Sequence, residues 1–342
     1  MSTTRETAPR VSGGFRVRRD SRLSRYGMLG LVAVCIGLAG LPYVVYESVT
    51  SSLVTLFVLI AMASMWNLLA GFGGMASIGQ QAYVGIGGYT VIWAADQGIN
   101  PFLGIAVAAL FSAVLAVPTS LLAFRLRGDY FAVGTWVIAE VYRLLVIKSD
   151  SLGGPSGRAL TGLSDMGLTA RNAATYWAAL VVAVVCVAAG YLLLRGRVGL
   201  SLTAVRDDEI AARAAGVDVT TAKRIVYLVS AAGCGAAGGV VVVDALSIQP
   251  TAIFSVQWSA YMIFIVVIGG IGYLEGPLLG AVVFFALQQY LADYGTWYLI
   301  LLGVVAAASA VWMPRGLWGQ VVHRTGLRLF PVGYRLDRTD QQ

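Results

Sequence analysis

Apolar runs of bilayer-crossing length follow one another from Tyr26 to Met313, and this feature limits the chain more than any other. A helix rises 1.5 Å per residue, so roughly 20 residues span the ~30 Å hydrocarbon core of a membrane. Ten crossings are predicted, at about 26–46, 50–70, 75–95, 101–124, 129–148, 174–194, 225–245, 257–273, 276–293 and 296–313. The expected fold class is an all-α polytopic integral membrane protein. Composition agrees, since hydrophobic residues make up 58% and charged residues 12%, about half the charged share of a soluble globular protein. Mean hydropathy is +0.77.

The charges are segregated. They crowd a basic tail at 1–25, a hydrophilic connector at 195–224 and a C-terminal tail at 316–342, with the membrane domain at 26–315 and a second long loop at 148–173. If the Arg-rich N-terminus is cytoplasmic, simple alternation over ten crossings also puts Arg125, Arg127, Arg195, Arg197, Arg206, Arg213, Lys223, Arg224 and Arg315 inside, and the long 148–173 loop outside. Every strong basic cluster then lies on one side, as the positive-inside rule requires. Both termini are expected in the cytoplasm and the protein in the plasma (inner) membrane. The net charge of +7 therefore reads as topology, and nucleic acid is not expected as a partner. The first apolar run is full length and carries no cleavage pattern, so it reads as a retained helix behind a disordered tail.

Metal and nucleophile chemistry find little support. His323 is the single histidine, and Cys35, Cys186 and Cys234 each sit inside an apolar run as small packing residues. A P-loop needs a Gly-Lys pair, and neither Lys148 nor Lys223 follows a glycine. The chain is expected to be no enzyme and to bind no cofactor itself.

Two stretches are unlike ordinary spanning helices. Residues 71–90 are dense in glycine and carry Ser77, Gln80, Gln81 and Tyr83, while 268–277 breaks a second apolar region with Gly269, Gly270, Gly272, Glu275, Gly276 and Pro277. Non-helical backbone at membrane depth survives only where protein covers it or water reaches it. Paired breaks in two halves of a transporter point to a translocation pathway; glycine also simply lets helices pack closely. Five crossings before about residue 150 and five after it allow an inverted repeat. The pathway candidates are Asn67, Gly71, Ser77, Gln80, Gln81, Tyr83, Gly88, Gly269, Gly270, Gly272, Glu275 and Pro277, with a solvated or substrate-facing setting favoured for the polar set.

Within the fifth run, Glu140 and Arg143 stand one turn apart. Its apolar residues contribute about 3–5 kcal/mol to insertion and two mid-membrane charges cost about 5–7 kcal/mol. The helix should therefore turn its pair toward the bundle interior. A structural ion pair and a substrate contact both remain open for the pair, and the same holds for Asp244 and Glu275. The connector segment 204–218 has acidic residues first, alanines after and Gly216 at its end, which suits a short helix with a left-handed cap. Such a helix is either a contact for a soluble partner or a plain amphipathic link.

This segment resembles the coupling loop of ABC-importer permeases, whose signature is Glu-Ala-Ala, three residues, then Gly. Ala211, Ala212 and Gly216 match, and Glu209 stands one place early because of Ile210. Asn67–Gly71, Ser77–Ala82, Arg127–Ala132, Gly153–Gly157, Val266–Gly272 and Pro314–Leu317 resemble, in order, further blocks of LivM-type permeases of branched-chain amino acid importers. The resemblance covers most of 60–318. It implies ATPase coupling through Arg206, Asp207, Asp208, Glu209, Ala211, Ala212, Ala215 and Gly216. It also implies a LivH-type second permease, two cytoplasmic ATPase subunits that carry ATP and Mg, an extracytoplasmic solute-binding protein, and a membrane-lipid setting. Gln80-Gln81 stands where many relatives carry Gly-His, which leaves branched-chain amino acids, urea, short amides and aromatic acids as candidate solutes. The rival readings are an ion-gradient-driven secondary transporter coupled at Glu140 or Asp244, and a membrane-embedded enzyme, for which no paired carboxylates or nucleophile–base set appear.

Overall fold

A computed structural model describes residues 15–18, 30, 33–43, 46–163, 166–291, 297–313, 315–325, 329–330 and 335–338. Most of the expected basic tail, the start of the first crossing and Pro314 lie outside these residues.

The helices are α1 (Ala33–Tyr43), α2 (Glu47–Asn67), α3 (Gln81–Asp96), α4 (Pro101–Ala123), α5 (Asp129–Ile147) and α6 (Leu168–Arg195). Two short connectors follow, α7 (Arg197–Asp207) and α8 (Glu209–Ala214), then α9 (Val219–Ala245), α10 (Pro250–Ile253), α11 (Val256–Gly269), α12 (Gly276–Leu291), α13 (Trp297–Trp312) and α14 (Gly316–Thr325). Among the described residues seven helical runs are long and apolar enough to cross a membrane, and α1 and α12 are shorter apolar helices. The chain is an all-α polytopic membrane protein.

Each predicted crossing has a helix at its place; α6 and α9 begin six residues earlier than expected, at Leu168 and Val219, and two others fall short. The run expected at 75–95 becomes helical only at Gln81, and the run expected at 257–273 stops at Gly269. Positive-φ glycines sit at both breaks: Gly270, at φ 127°, caps α11 and takes the backbone out of the helix, and Gly74, at 66°, turns the chain after Phe72 into the unwound stretch that lasts to Gln81. Among the described residues, strand is confined to two short ribbons. One pairs Arg158–Ala159 with Ser247–Ile248, and the other pairs Phe15–Arg18 with Arg335–Arg338. The second ribbon places residues 15–18 of the tail expected to be disordered in a strand, with Arg16 in register with Asp337.

The bundle has two chemically distinct ends. At one, Arg206 reaches Gly272, Gly270 abuts Arg315, Lys223 meets Glu209, and Phe124 stacks edge-on against Tyr227. At the other, Arg158 pairs with Asp96 at 2.6 Å and Leu160 bonds Leu246. The first is the basic end.

Helix α9 is the centre of the packing and touches α2, α3, α4 and α6. Its alanines and glycines let neighbours approach to backbone distance, the way small residues join helices where lipid removes the hydrophobic drive. A Cβ at Gly87 of α3 would collide with the carbonyl oxygen of Gly235. Replacing Gly87 with Val should therefore force α3 off α9 and destabilise by on the order of 1–3 kcal/mol or more. Gly303→Ala, where nothing lies within 4 Å of the new carbon, should melt like the parent in a detergent thermal-unfolding assay.

Candidate functional site

The unwound segment 73–80 enters the bundle instead of skirting it. Gly79 lies against Thr135, six residues into α5, about 9 Å along the helix from its start. Its polar groups are met from surrounding helices. Trp66 Nε1 donates to the Ser77 carbonyl at 2.7 Å, and the Gly79 amide donates to Ser77 Oγ at 3.1 Å. Ser259 Oγ is 2.9 Å from the Ile78 carbonyl and also bonds Gln81 Oε1. Ser230 Oγ donates to the Met65 carbonyl at 2.9 Å, with Gln80 Oε1 at 3.4 Å. The Tyr83 and Tyr227 hydroxyls bond at 3.0 Å.

Ser77, Gln80, Gln81 and Tyr83 thus form one buried polar hub at the start of α3, with Gln80 0% exposed. They face neighbouring helices, in contrast with the solvated setting favoured from the sequence. Gln80 Nε2 has no partner among the described residues. Gly88, one turn on, packs against Val242 and Ile248. The partners Trp66, Tyr227, Ser230 and Ser259 were missed by sequence reasoning. The signal available for the serines was a lone hydroxyl in the middle of an apolar run.

The second break joins the first. Asn67 Nδ2 donates to the Tyr273 carbonyl at 2.8 Å, and its Oδ1 accepts from the Gly272 amide at 2.9 Å. A Cβ at Gly71 would sit 2.6 Å from the Gly272 nitrogen, so the two backbones can meet only because Gly71 has no side chain. Gly269, Gly276 and Pro277 are buried where α11 turns into α12. Gly270, at φ 127°, lies under Arg315 of the α14 turn. Glu275 is buried and its carboxylate accepts from the Phe330 amide at 2.8 Å.

The hydrophilic connector is two helices with a kink at Asp208. Asp208 Oδ1 caps α8 by accepting from the Ile210 and Ala211 amides at 2.8 and 3.0 Å. Asp207 is the last residue of α7. Glu209 bonds Lys223 at 2.6 Å and Arg213 at 2.8 Å, and these cations, Lys223 first, hold its carboxyl below the usual range. Ala212 is buried against Val205 and Val219, while Ala211, Ala215 and Gly216 are exposed. Gly216, at φ 82°, ends the helix in the left-handed conformation expected of it. Asp218 then caps α9 through the Thr221 amide at 3.0 Å. Ile210 projects from this clamp 82% exposed. The clamp touches the junction through Arg206, whose Nη1 would lie 3.0 Å from a Cβ on Gly272.

Glu140 and Arg143 do pair, with Arg143 Nε 2.9 Å from both carboxylate oxygens. They do not turn into the bundle of this chain, which corrects that expectation. Helix α5 buries only Phe131, Thr135 and Ala139, one residue per turn, and the pair lies on its open flank with side chains 45% (Glu140) and 24% (Arg143) exposed. Asp244 is exposed at the end of α9. Among the described residues no group of three His, Cys, Asp or Glu could hold a metal ion.

Two broken helices that meet inside an apolar bundle, with a capped hydrophilic connector resting on their junction, make the framework of a membrane permease. Residues 48–310 match the family model described as branched-chain amino acid transport system / permease component. The chain belongs to this family. It is 26% identical over 317 residues to the high-affinity branched-chain amino acid transport system permease protein LivM of Escherichia coli K12, covering 84% of this chain and 74% of that one. The LivM protein of Salmonella typhimurium LT2 gives the same identity over 316 residues, with 84% and 74% covered. The fructose import permease protein FruG of Bifidobacterium longum is 26% identical over 271 residues, 74% of this chain and 78% of that one. No solved structure matches.

Asn67→Ala would leave the Gly272 amide and the Tyr273 carbonyl without their side-chain partner, each at a cost of about 1–3 kcal/mol. Thermal unfolding in detergent should show the loss against the parent.

Proposed function

We propose that this chain is the membrane-spanning permease of an ATP-driven importer, with the Asp208–Gly216 clamp as the docking point for a cytoplasmic ATPase. One observation carries the reading. The clamp is tied to the membrane helices at both ends, offers an exposed apolar residue, Ile210, outward, and rests through Arg206 on the junction of the two breaks. A push on α8 therefore reaches Gly272 and Asn67 directly. Two ATPase subunits would supply ATP and Mg, and an extracytoplasmic binding protein would deliver the solute. The basic end is then the cytoplasmic one, with both termini there and the protein in the plasma membrane.

The open flank of α5 is assigned to the second, LivH-type permease. Two charges facing lipid at mid-membrane would cost about 5–7 kcal/mol, whereas a partner helix or a wet path between subunits removes most of that cost. We place the translocation pathway along this flank. The hub at Ser77–Tyr83 and the 269–277 break would be the elements that shift when the path opens, exposing polar groups now packed against neighbours. The solute class is branched-chain amino acids or a similarly small polar molecule such as urea, a short amide or an aromatic acid; the sugar permease FruG marks how far this family's cargo ranges.

Ile210→Asp places a charge on a residue that packs against nothing in this chain. The full-length variant should insert and fold as the parent does, yet lose co-purification of ATPase subunits and ATP-dependent uptake. ATPase retention equal to the parent's would remove the docking assignment. Uptake in proteoliposomes by this chain alone, driven by a proton or sodium gradient and indifferent to ATP, would establish the secondary-transporter reading instead.

A further inference from the structure

At the basic end, where α13 stops and α14 begins, a cavity of about 400 Å³ is lined by Trp312, Met313, Arg315, Gln320, His323 and Arg324. We propose that it is a binding site for the phosphate headgroup of an anionic phospholipid. Among the described residues no carboxylate lines it, and the Arg315, His323 and Arg324 side chains make no ion pair or hydrogen bond. Two guanidinium groups thus face one concavity uncompensated. Guanidinium forks suit phosphate oxygens, which accept two parallel N–H bonds.

The frame around the cavity is fixed. Gly316 and Gly319 of α14 are buried; a Cβ at Gly316 would collide with Gly270, and one at Gly319 would lie 2.6 Å from Arg315 Cβ. The site therefore sits against the α11–α12 break. Its position fits a lipid better than a free anion. Trp312, 80% exposed, stands at the end of a membrane helix, where aromatic side chains mark the headgroup level. Ile300, Val304 and Val311 of α13 are exposed on one face leading to it, a track for acyl chains. Helix α14 is two-faced, with Leu317, Trp318, Val321 and Val322 on one side and Gln320, His323 and Arg324 on the other, as in helices that lie in the interface plane.

The test uses the full-length chain, purified in neutral detergent with the subunits that accompany it, and native mass spectrometry against dioleoyl phosphatidylglycerol, dioleoyl phosphatidylcholine and inorganic phosphate. Phosphatidylglycerol should bind about tenfold or more tighter than phosphatidylcholine. Arg315→Gln with Arg324→Gln should weaken it by about fivefold per arginine, about 25-fold together. Both side chains are exposed, so the variant should melt like the parent, and the double lysine variant should keep most of the preference. Equal binding of the two lipids, or undiminished phosphatidylglycerol binding by the double glutamine variant, would overturn the site. Phosphate competing at the lipid's own concentration would assign it to a free anion instead. Loss of ATPase subunits with lipid binding intact would make it a protein contact.

Discussion

Backbone amides and carbonyls that leave a helix inside a bilayer have no water to turn to, and this chain opens its backbone there twice. The cost of an unmet group in hydrocarbon is several kcal/mol. The folded protein meets that demand with side chains, most of them from other helices. Trp66, Ser77 and Ser259 serve the 73–80 segment, and Asn67 serves Gly272 and Tyr273. The order of the helices follows from this. Helix α2 must end beside the α11–α12 break, because one asparagine side chain bridges both, and α3 must start between α9 and α11, because Gln80 and Gln81 find their serines there.

The sequence made some of this legible and hid the rest for a physical reason. Helix length and apolarity depend on consecutive residues, so all ten helical segments could be placed. The left-handed Gly216 is likewise local and was expected; the Asp208 cap and the Glu209–Arg213 pair are as local but were not read. The glycine-rich breaks were visible as departures from a pattern. Their partners were not, since Ser230 and Ser259 are separated from residues 80 and 81 by 150 and 178 positions. A buried serine in an apolar helix looks the same whether it bonds its own backbone, as Thr90 does to Ile86, or crosses to another helix. The orientation of the Glu140–Arg143 pair failed for a related reason. The energetic argument required that something cover two membrane charges and supplied that cover from this chain, whereas the pair lies on the open flank of α5.

That error is informative about assembly. In a chain complete by itself, a helix that packs one residue per turn and carries an ion pair on its open side would be the costliest element in the bundle. A partner over this flank, as proposed, would relieve α5 of that cost. The contrast with α9 sharpens the point, for α9 is wrapped by four helices and carries no charge between Arg224 and Asp244.

The same logic bears on how force would travel. A conformational change needs an element with two arrangements of similar energy, and a rigid lever to bias it. The α7–α8 clamp has the properties of the lever: capped at Asp208 and Asp218, pinned by Glu209 to both Arg213 and Lys223, and filled by Ala212. The junction has those of the bistable element. It is held by a few hydrogen bonds, its glycines permit backbone angles that other residues resist, and one hub donor, Gln80 Nε2, is left unmatched. An unmatched buried donor costs about 1–3 kcal/mol, which narrows the gap to any arrangement that satisfies it. A displacement of Arg206 would act on Gly272 and, through its amide, on Asn67 at the end of α2.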